Sequence, residues 1–215
     1  LWYAAMTAPT QHRRTRIGIY GGTFDPIHNA HLAIAQTARD AADLDKVLFM
    51  VAHVPPHKTA RTGATPAQRL AMVEATLSEH PRMKASNLEL RRDGPSYTVD
   101  TLRLLRALEP EADFFLILGM DSLLDLPNWR EPETILQLAR ILAVPRPGEH
   151  LEVPAALADH VQVLPFNTMD ISSTDIRRRI AAGQSISHLV PPPVARMIEE
   201  QRLYHDNDVR DTASR

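Results

Sequence analysis

Two histidines lie three positions apart near the start of the chain, directly after a pair of glycines. They belong to the stretch GGTFDPIHNAH, residues 21–31, which follows the apolar run RIGIY. Glycines at the end of a strand let the backbone turn sharply and approach a ligand closely. Side chains three positions apart project from one face of a starting helix. His28 and His31 are therefore candidates for contact with a shared ligand.

Three kinds of chemistry fit a histidine pair of this spacing. A zinc site would need a third ligand nearby, and the chain has neither a cysteine nor an HExxH pattern. A serine-type triad would need a nucleophile elbow, and no GxSxG occurs. Donation to phosphate oxygens needs neither, since imidazole groups stabilise charge that accumulates during transfer. Two ordinary capping or surface histidines are the alternative, and the adjoining Gly-Gly turn favours the phosphate-binding interpretation.

The surrounding pattern predicts where this stretch lies in the fold. Apolar runs alternate with amphipathic segments, which indicates an α/β fold with a doubly wound parallel sheet and helices on both faces. Ligands of such sheets bind beyond the carboxyl ends of the strands, where residues 21–31 would lie. Neither the GxGxxG nor the GxxxxGK[ST] phosphate loop occurs. The predicted strands are 16–20, 46–52, 83–88, 113–119, 139–144 and 161–164, and the predicted helices are 30–42, 66–80, 97–108, 131–138, 173–182 and 192–201.

Composition limits the domain organisation and the partner classes. The chain has 215 residues, a net charge of -2 and no cysteine. Its length suits one domain, predicted at 16–204, between an extension at 1–15 with Met6 as a candidate start and a polar tail at 205–215. The low charge argues against long nucleic acid, and the missing cysteines fit a reducing cytoplasm. Because no apolar run suits a membrane span or a signal peptide, we expect a cytoplasmic protein without a membrane partner. We also expect a monomer or a small homo-oligomer.

A second candidate anion site lies near the end of the chain. The run SSTD, residues 172–175, offers hydroxyls that cap a helix, and Asp175 suits the first helical turn. The N–H groups of a helix N-terminus also bind anions, so a capped helix and an anion site are compatible here.

A long polar segment, HVPPHKTARTGAT at 53–65, separates two predicted elements. Loops of this length in a compact domain are usually functional or disordered. Its Lys58 is explained equally well as a mobile cation over phosphates and as a solvated lysine.

Two motifs and three intervening segments resemble a known family. GGTFDPIHNAHL resembles the first motif of the nucleotidyltransferase superfamily, (T/H)xGH after the first strand, and ISSTDIR at 171–177 resembles the second, ISSTxIR. Between them, PSYTVDTLR, GMDSL and PNW are similar to segments of bacterial nicotinate-nucleotide adenylyltransferases. The resemblance runs from about residue 16 to about residue 204. It implies a Rossmann-like domain with a small C-terminal helical segment.

The resemblance implies a reaction of NAD biosynthesis. The 5′-phosphate of nicotinate mononucleotide attacks the α-phosphorus of ATP in line, which gives deamido-NAD and pyrophosphate without a covalent intermediate. That phosphate is already ionised at neutral pH, so catalysis reduces to positioning and charge stabilisation. The expected partners are ATP and nicotinate mononucleotide, and Mg²⁺ is expected to arrive with the ATP phosphates rather than in a protein metal site.

The resemblance also implies roles for individual residues. The expected catalytic residues, which hold the ATP phosphates and the developing charge, are His28, His31 and Arg177. The expected ATP-binding residues are Gly21, Gly22, Thr23, Phe24, His28, His31, Gly119, Asp121, Ile171, Ser173, Thr174 and Arg177. The expected mononucleotide-binding residues are Thr23, Lys58, Tyr97, Thr98, Asp121 and Trp129. The alternatives are a helix cap for Asp121 and simple packing for Trp129, whose indole is otherwise expected to stack on the pyridine ring.

One position departs from the family motif. Ala30 stands where the family has glycine, so the motif reads HNAH. The added methyl group would crowd a phosphate, whereas alanine favours the first helical turn, and we expect weakened ATP contact at most. Two other functions stay open: a phosphopantetheine adenylyltransferase, which shares the first motif, and a nucleotide-binding sensor that has lost catalysis through Ala30. The segments PSYTVDTLR, GMDSL and PNW make a cytidylyltransferase less favoured.

Overall fold

Six parallel strands form one sheet in the computed structural model, which describes residues 13–53, 63–92, 94–145, 152–166 and 169–205. The strand order is β3-β2-β1-β4-β5-β6, and each neighbouring pair is parallel. The order reverses between β1 and β4, and such a switch point leaves a crevice at the carboxyl ends of the strands. The strands are β1 Arg16–Gly22, β2 Lys46–Val51, β3 Met83–Ser86, β4 Asp113–Gly119, β5 Ala139–Val144 and β6 Val161–Val163.

Seven α-helices in the described residues cover the two faces of the sheet. The side chains of β4 alternate between two buried clusters, one on each face of the sheet. Phe115 and Ile117 belong to the first cluster, and Phe114, Leu116 and Leu118 belong to the second. Helices α1, α2, α6 and α7 pack on the first cluster, and α3, α4 and α5 pack on the second. The helices are α1 Asn29–Ala41, α2 Pro66–Leu77, α3 Thr98–Leu108, α4 Met120–Asp125, α5 Pro132–Leu138, α6 Ser173–Ala181 and α7 Pro192–Glu200.

The predicted α/β architecture is therefore confirmed, and the differences from the predicted elements are small. The strands β4 and β5 have the predicted bounds. The third strand ends at Ser86 rather than at residue 88, because residues 88–91 form a turn. Helix α4 was not predicted, since six residues span fewer than two helical turns and show no periodicity.

The ends of the predicted domain are only partly described. Arg13, inside the predicted extension, forms ion pairs with Asp43 at 2.9 Å and with Asp45 at 2.6 Å. Residues 1–12 and 206–215 lie outside the described residues, so the extension, the tail and the domain bounds stay predictions. No helix in the described part of the chain is long and apolar enough to cross a membrane.

Candidate active site

The first motif forms the turn between β1 and α1, at the carboxyl end of the sheet, and its two glycines serve different purposes. A Cβ atom on Gly22 would lie 2.8 Å from Cζ of Phe24, so only glycine fits against that ring. A Cβ atom on Gly21 would meet nothing within 4 Å. Phe24 itself is buried and adopts a left-handed φ of 52°. Its side chain belongs to the core, so a ligand at this turn meets the Phe24 backbone rather than the ring.

The two histidines stack on each other at the start of α1. Their ring centroids lie 3.6 Å apart at an interplanar angle of 22°. His28 is the N-cap residue, and its backbone N–H donates to Nδ1 of His31 at 3.2 Å. An Nδ1 atom that accepts a hydrogen bond carries no proton, so the proton of a neutral His31 lies on Nε2.

The environments of the two imidazoles differ. His28 is 5% exposed, and burial lowers its pKa to about 4, so the His28 ring is neutral at pH 7. His31 is half-buried and lies edge-on to the rings of Phe24 and Tyr20, with centroid distances of 5.1 Å and 6.0 Å. The buried, neutral His28 ring and the half-buried His31 ring therefore hold each other in a fixed orientation.

The second motif docks directly on the first. Ser172 caps helix α6 by accepting from the Asp175 N–H at 3.1 Å. The Ser173 hydroxyl donates to the Pro26 carbonyl at 2.9 Å, and Nη1 of Arg177 donates to the Asp25 carbonyl at 2.7 Å. These bonds join residues about 150 positions apart and place the N-terminus of α6 against the turn that leads into His28.

We refer to His28, His31, Thr174 and Arg177 as the His–Arg edge. Thr174 is exposed in the first turn of α6, and its hydroxyl accepts from Nη2 of Arg177 at 3.4 Å. Arg177 is about one-third exposed. This edge combines a guanidinium, two imidazoles and the N-terminus of a helix, which is a favourable arrangement for an anion.

Two buried charged residues stabilise the turn and were missed by the sequence interpretation. The Asp25 carboxylate accepts from the Gly63 N–H at 3.0 Å and the Ala64 N–H at 3.1 Å. Arg69 has no exposed surface and donates to the carbonyls of Thr23 at 2.6 Å and His53 at 3.4 Å. The position of Asp25 within the first motif could have drawn attention to it. Arg69 lies on a predicted helix, and nothing in the sequence there indicates that an arginine is buried.

A cavity of about 520 Å³ opens beside the turn, between β1, β4 and the start of α3. We refer to it as the Trp129 cavity. Six predicted site residues line it, and so do several that were not predicted. The predicted ones are Gly21, Gly22, Thr23, Tyr97, Thr98 and Trp129, and the others are Ala52, Glu89, Ser96, Leu116, Leu118, Ser122, Asn128, Arg130 and Ile135.

Polar contacts fix the walls of this cavity. The indole Nε1 of Trp129 donates to Asp125 at 3.1 Å, which holds the edge of the ring. Tyr97 is the N-cap residue of α3, and the Arg130 guanidinium lies 4.9 Å from the Tyr97 ring centroid. The first-turn N–H groups of α3 therefore start at the cavity wall, where they are available to an anionic group.

A buried carboxyl group also lines the Trp129 cavity. Glu89 is 8% exposed and accepts from the Thr101 hydroxyl at 2.7 Å. Burial raises the pKa of Glu89. Ser96 accepts from the His53 N–H at 3.1 Å, which ties the cavity wall to the end of β2.

The remaining predicted residues lie apart from these two groups or outside the described residues. Gly119 is the N-cap residue of α4, so the alternative in which Asp121 caps that helix is wrong. Asp121 is exposed in the first turn of α4 and does not line the cavity, while Ile171 packs against the cluster beneath α1 and α6. Lys58 lies outside the described residues. Within the described ranges, no group of three or more metal-ligating side chains could hold an ion.

Comparison with known proteins places the chain in a family. The Cytidylyltransferase-like family matches residues 19–179. A protein from Synechococcus sp. (strain JA-3-3Ab), named "Probable nicotinate-nucleotide adenylyltransferase", is 42% identical over 93% of this chain and 99% of its own length. A protein of the same name from Roseiflexus sp. (strain RS-1) is 45% identical over 87% of this chain and 97% of its own length.

The structure supports the same placement at the level of fold. The nicotinic acid mononucleotide adenylyltransferase of Plasmodium falciparum, solved in complex with NaAD, superposes with a TM-score of 0.75 over 90% of this chain and 99% of that chain, at 20% identity. The docked motifs and the Trp129 cavity thus occur in a chain that is similar to its relatives over nearly its whole length. The chain belongs to the nicotinate-nucleotide adenylyltransferase family, within the cytidylyltransferase-like proteins.

Proposed function

We propose that the protein transfers the adenylyl group of ATP to nicotinate mononucleotide, giving deamido-NAD and pyrophosphate. The observation that carries this proposal is the docking of the two motifs, through the 2.7 Å bond from Arg177 to the Asp25 carbonyl, beside a cavity that holds an aromatic side chain. In the reaction, a phosphate oxygen of the mononucleotide bonds to the α-phosphorus of ATP. The bond from that phosphorus to the pyrophosphate oxygen breaks, and pyrophosphate leaves with its electron pair.

The His–Arg edge is the proposed site of the ATP phosphates. Nε2 of His31 donates a proton in a hydrogen bond, and the buried, neutral His28 supports it by stacking. Arg177 and the first-turn N–H groups of α6 supply positive potential to the leaving pyrophosphate. The attacking phosphate is already ionised, so the absence of a strong general base from this edge is no obstacle.

The Trp129 cavity is the proposed site of the nicotinate ring. Its volume of about 520 Å³ is in the usual range for small-molecule sites. Trp129 offers a ring face for stacking, and Thr98 at the start of α3 offers backbone N–H donors for the carboxylate. Thr23 lines the cavity and belongs to the first-motif turn, so it is the proposed meeting point of the two substrates.

Magnesium fits this site as a companion of ATP. The His–Arg edge consists of neutral and cationic groups, and the buried Asp25 carboxylate is already occupied by two N–H groups and one phenol. Such a donor set suits a cation that stays on the phosphates and keeps its water ligands. When bound, Mg²⁺ would neutralise charge on the leaving pyrophosphate, and we place the reaction in the cytoplasm with its small nucleotide substrates.

The decisive experiment measures pyrophosphate release by the purified protein with ATP and Mg²⁺. The acceptors are nicotinate mononucleotide, its amide counterpart and phosphopantetheine, each in a separate reaction. We expect release with nicotinate mononucleotide, less with the amide and none with phosphopantetheine. Release with phosphopantetheine alone would assign the protein to that substrate, and tight ATP binding without turnover on any acceptor would make it a sensor.

A further inference from the structure

The turn that follows α7 contacts the first motif through a phenol. Tyr204 follows α7, and its hydroxyl donates to Oδ1 of Asp25 at 2.8 Å. Tyr204 and Arg202 both adopt left-handed φ angles, 65° and 49°, which are unfavourable for residues with a side chain. Strained backbone persists where the surrounding contacts fix it, so this turn is held in place to deliver the phenol.

Tyr204 packs against the same atoms that position Arg177. A Cβ atom on Gly63 would lie 2.7 Å from Cδ1 of Tyr204 and 3.7 Å from Cδ of Arg177, so the Gly63 backbone is packed against both side chains. Gly63 and Ala64 donate to the two oxygens of the Asp25 carboxylate. Nη1 of Arg177 donates to the Asp25 carbonyl and lies 4.0 Å from Oδ2 of its carboxylate.

The protonation states make Tyr204 a hydrogen-bond donor and Asp25 an acceptor. Burial and the Asp25 carboxylate raise the pKa of Tyr204, so its hydroxyl keeps its proton and donates. Asp25 then accepts from one phenol, two backbone N–H groups and, through its carbonyl, one guanidinium N–H. Among the described residues, Arg177 uses two of the five N–H donors that a guanidinium carries, at Asp25 and Thr174.

We propose that Tyr204 is a positioning residue that acts through Asp25 to hold the Arg177 guanidinium in the orientation that receives the ATP phosphates. This inference rests on the proposed function, because it takes Arg177 as a phosphate ligand. Tyr204 itself touches no substrate. It fixes Asp25 and the backbone of Gly63, and these in turn fix the guanidinium, so less side-chain freedom of Arg177 is lost when ATP binds.

The test is Tyr204→Phe, which removes the hydroxyl and keeps the ring against Gly63. Titration calorimetry with a non-hydrolysable ATP analogue and no acceptor measures the affinity directly. We expect the dissociation constant to rise about three- to tenfold, the range for one long side chain that is no longer held in place before binding. The affinity for nicotinate mononucleotide should stay unchanged, because Tyr204 packs in the first buried cluster, whereas Trp129 and Leu118 of the cavity belong to the second.

Thr101→Val is the matched control. It also deletes a buried hydroxyl that donates to a carboxyl group, at 2.7 Å to Glu89, but on the cavity side. We expect its affinity for the ATP analogue to equal that of the wild type. An equal loss in both variants would show a general effect of buried hydroxyls and would overturn the proposal.

A double-mutant cycle with Arg177→Ala tests the connection to Arg177. If Tyr204 acts through Arg177, Tyr204→Phe weakens ATP binding in the wild type and adds nothing in the Arg177→Ala background. A purely structural role predicts the same loss in both backgrounds, together with a lower Tm. That result, or an Arg177→Ala protein with unchanged ATP affinity, would refute the inference.

Gly63→Ala provides a second route if Tyr204→Phe melts below the assay temperature. It keeps the hydroxyl and displaces the Tyr204 ring sterically, so it should show the same ATP-selective loss. Unfolding of both variants would mean that Tyr204 serves the fold, and the proposal would be wrong. ATP binding is measured without an acceptor, so this test is separate from the test of the proposed function. If the wild type does not use nicotinate mononucleotide but Tyr204→Phe still weakens ATP binding selectively, the function is refuted and the role of Tyr204 in positioning Arg177 is not.

Discussion

The His–Arg edge and the Trp129 cavity lie side by side, but they are built in different ways. The edge depends on contacts between distant parts of the chain, such as Arg177 with Asp25 and Ser173 with Pro26. Much of the cavity comes from two short segments, residues 96–98 and 128–130, together with the ends of β1 and β4. The edge fixes the direction of a few polar groups, whereas the cavity supplies shape and an aromatic face.

This difference suggests a division of labour in the proposed reaction. Charge stabilisation needs donors that are oriented before the reaction begins, and a network of buried hydrogen bonds provides that order. Recognition of a ring needs contact area, which is less sensitive to the exact direction of each side chain than hydrogen bonding is. Mutations of the edge should therefore change kcat and ATP affinity, and mutations of the cavity should change the KM for the mononucleotide.

The largest effect is expected from His31→Ala. Removing the Nε2 donor should lower kcat about 10²- to 10³-fold, as loss of one oriented donor does in other transfer enzymes. The Tm should change little, because His31 is only half-buried. Steady-state kinetics and a melting curve measure both. His160→Ala, a change at an exposed histidine far along the chain, is the control, and equal losses of kcat in the two variants would contradict the role of His31.

The next effect concerns the pH dependence of stability, to which His28 in the His–Arg edge and Glu89 in the Trp129 cavity should contribute with opposite signs. The pKa of His28 is lowered from 6.5 to about 4 in the folded protein. The unfolded chain therefore binds more protons between these values, so His28 contributes stability above pH 6.5 that is lost as the pH falls towards 4. The full loss is about 3 kcal/mol. Denaturant unfolding at pH 7 and pH 4.5 measures it, and His28→Asn, which places a favourable residue at the N-cap, should flatten the change.

Glu89 in the Trp129 cavity should show the opposite sign. Its pKa is raised in the folded protein, so its contribution favours folding at low pH and is lost as the pH rises above its ordinary value. Glu89→Gln should therefore steepen the loss of stability on acidification relative to the wild type. A pH profile that both substitutions shift in the same direction would contradict this assignment of the two groups.

The two glycines of the first motif give a smaller and purely steric contrast. Gly22→Ala places a methyl group 2.8 Å from the Phe24 ring and should lower the free energy of unfolding by about 2 kcal/mol, typical of overpacking. Gly21→Ala meets open space and should leave stability nearly unchanged. Its methyl group would occupy the cavity wall and raise the KM for the mononucleotide instead. Equal stability of the two variants would be the contrary result.

Trp129→Ala should have the smallest and most selective effect. Loss of a stacked indole should raise the KM for nicotinate mononucleotide about tenfold, while the KM for ATP stays nearly constant. Trp129→Phe retains a ring face and should recover part of the loss. Initial rates with each substrate varied in turn measure both constants. A rise confined to ATP would assign Trp129 to the other substrate.

Much of the fold could be predicted because its signals are local. The buried run of β4 is continuously apolar, as parallel strands covered on both faces require, and Pro66 follows the capping residue Thr65 at the start of α2. The short helix α4 could not be predicted in this way, since its stability comes from packing on β4 and β5 rather than from its own pattern.

Single residues of the candidate site were proposed from the sequence, but the contacts between distant residues were not. The sequence by itself determined the alternation of strands and helices along the chain and the family resemblance, because both depend on residue types at short spacing. Only the tertiary structure decided that the Ser173 hydroxyl contacts Pro26, that Arg69 is fully buried and that Tyr204 reaches Asp25 across 179 positions. Hydrogen bonds between distant residues leave no periodic trace in a sequence, since their partners meet only after the sheet and its helices have packed.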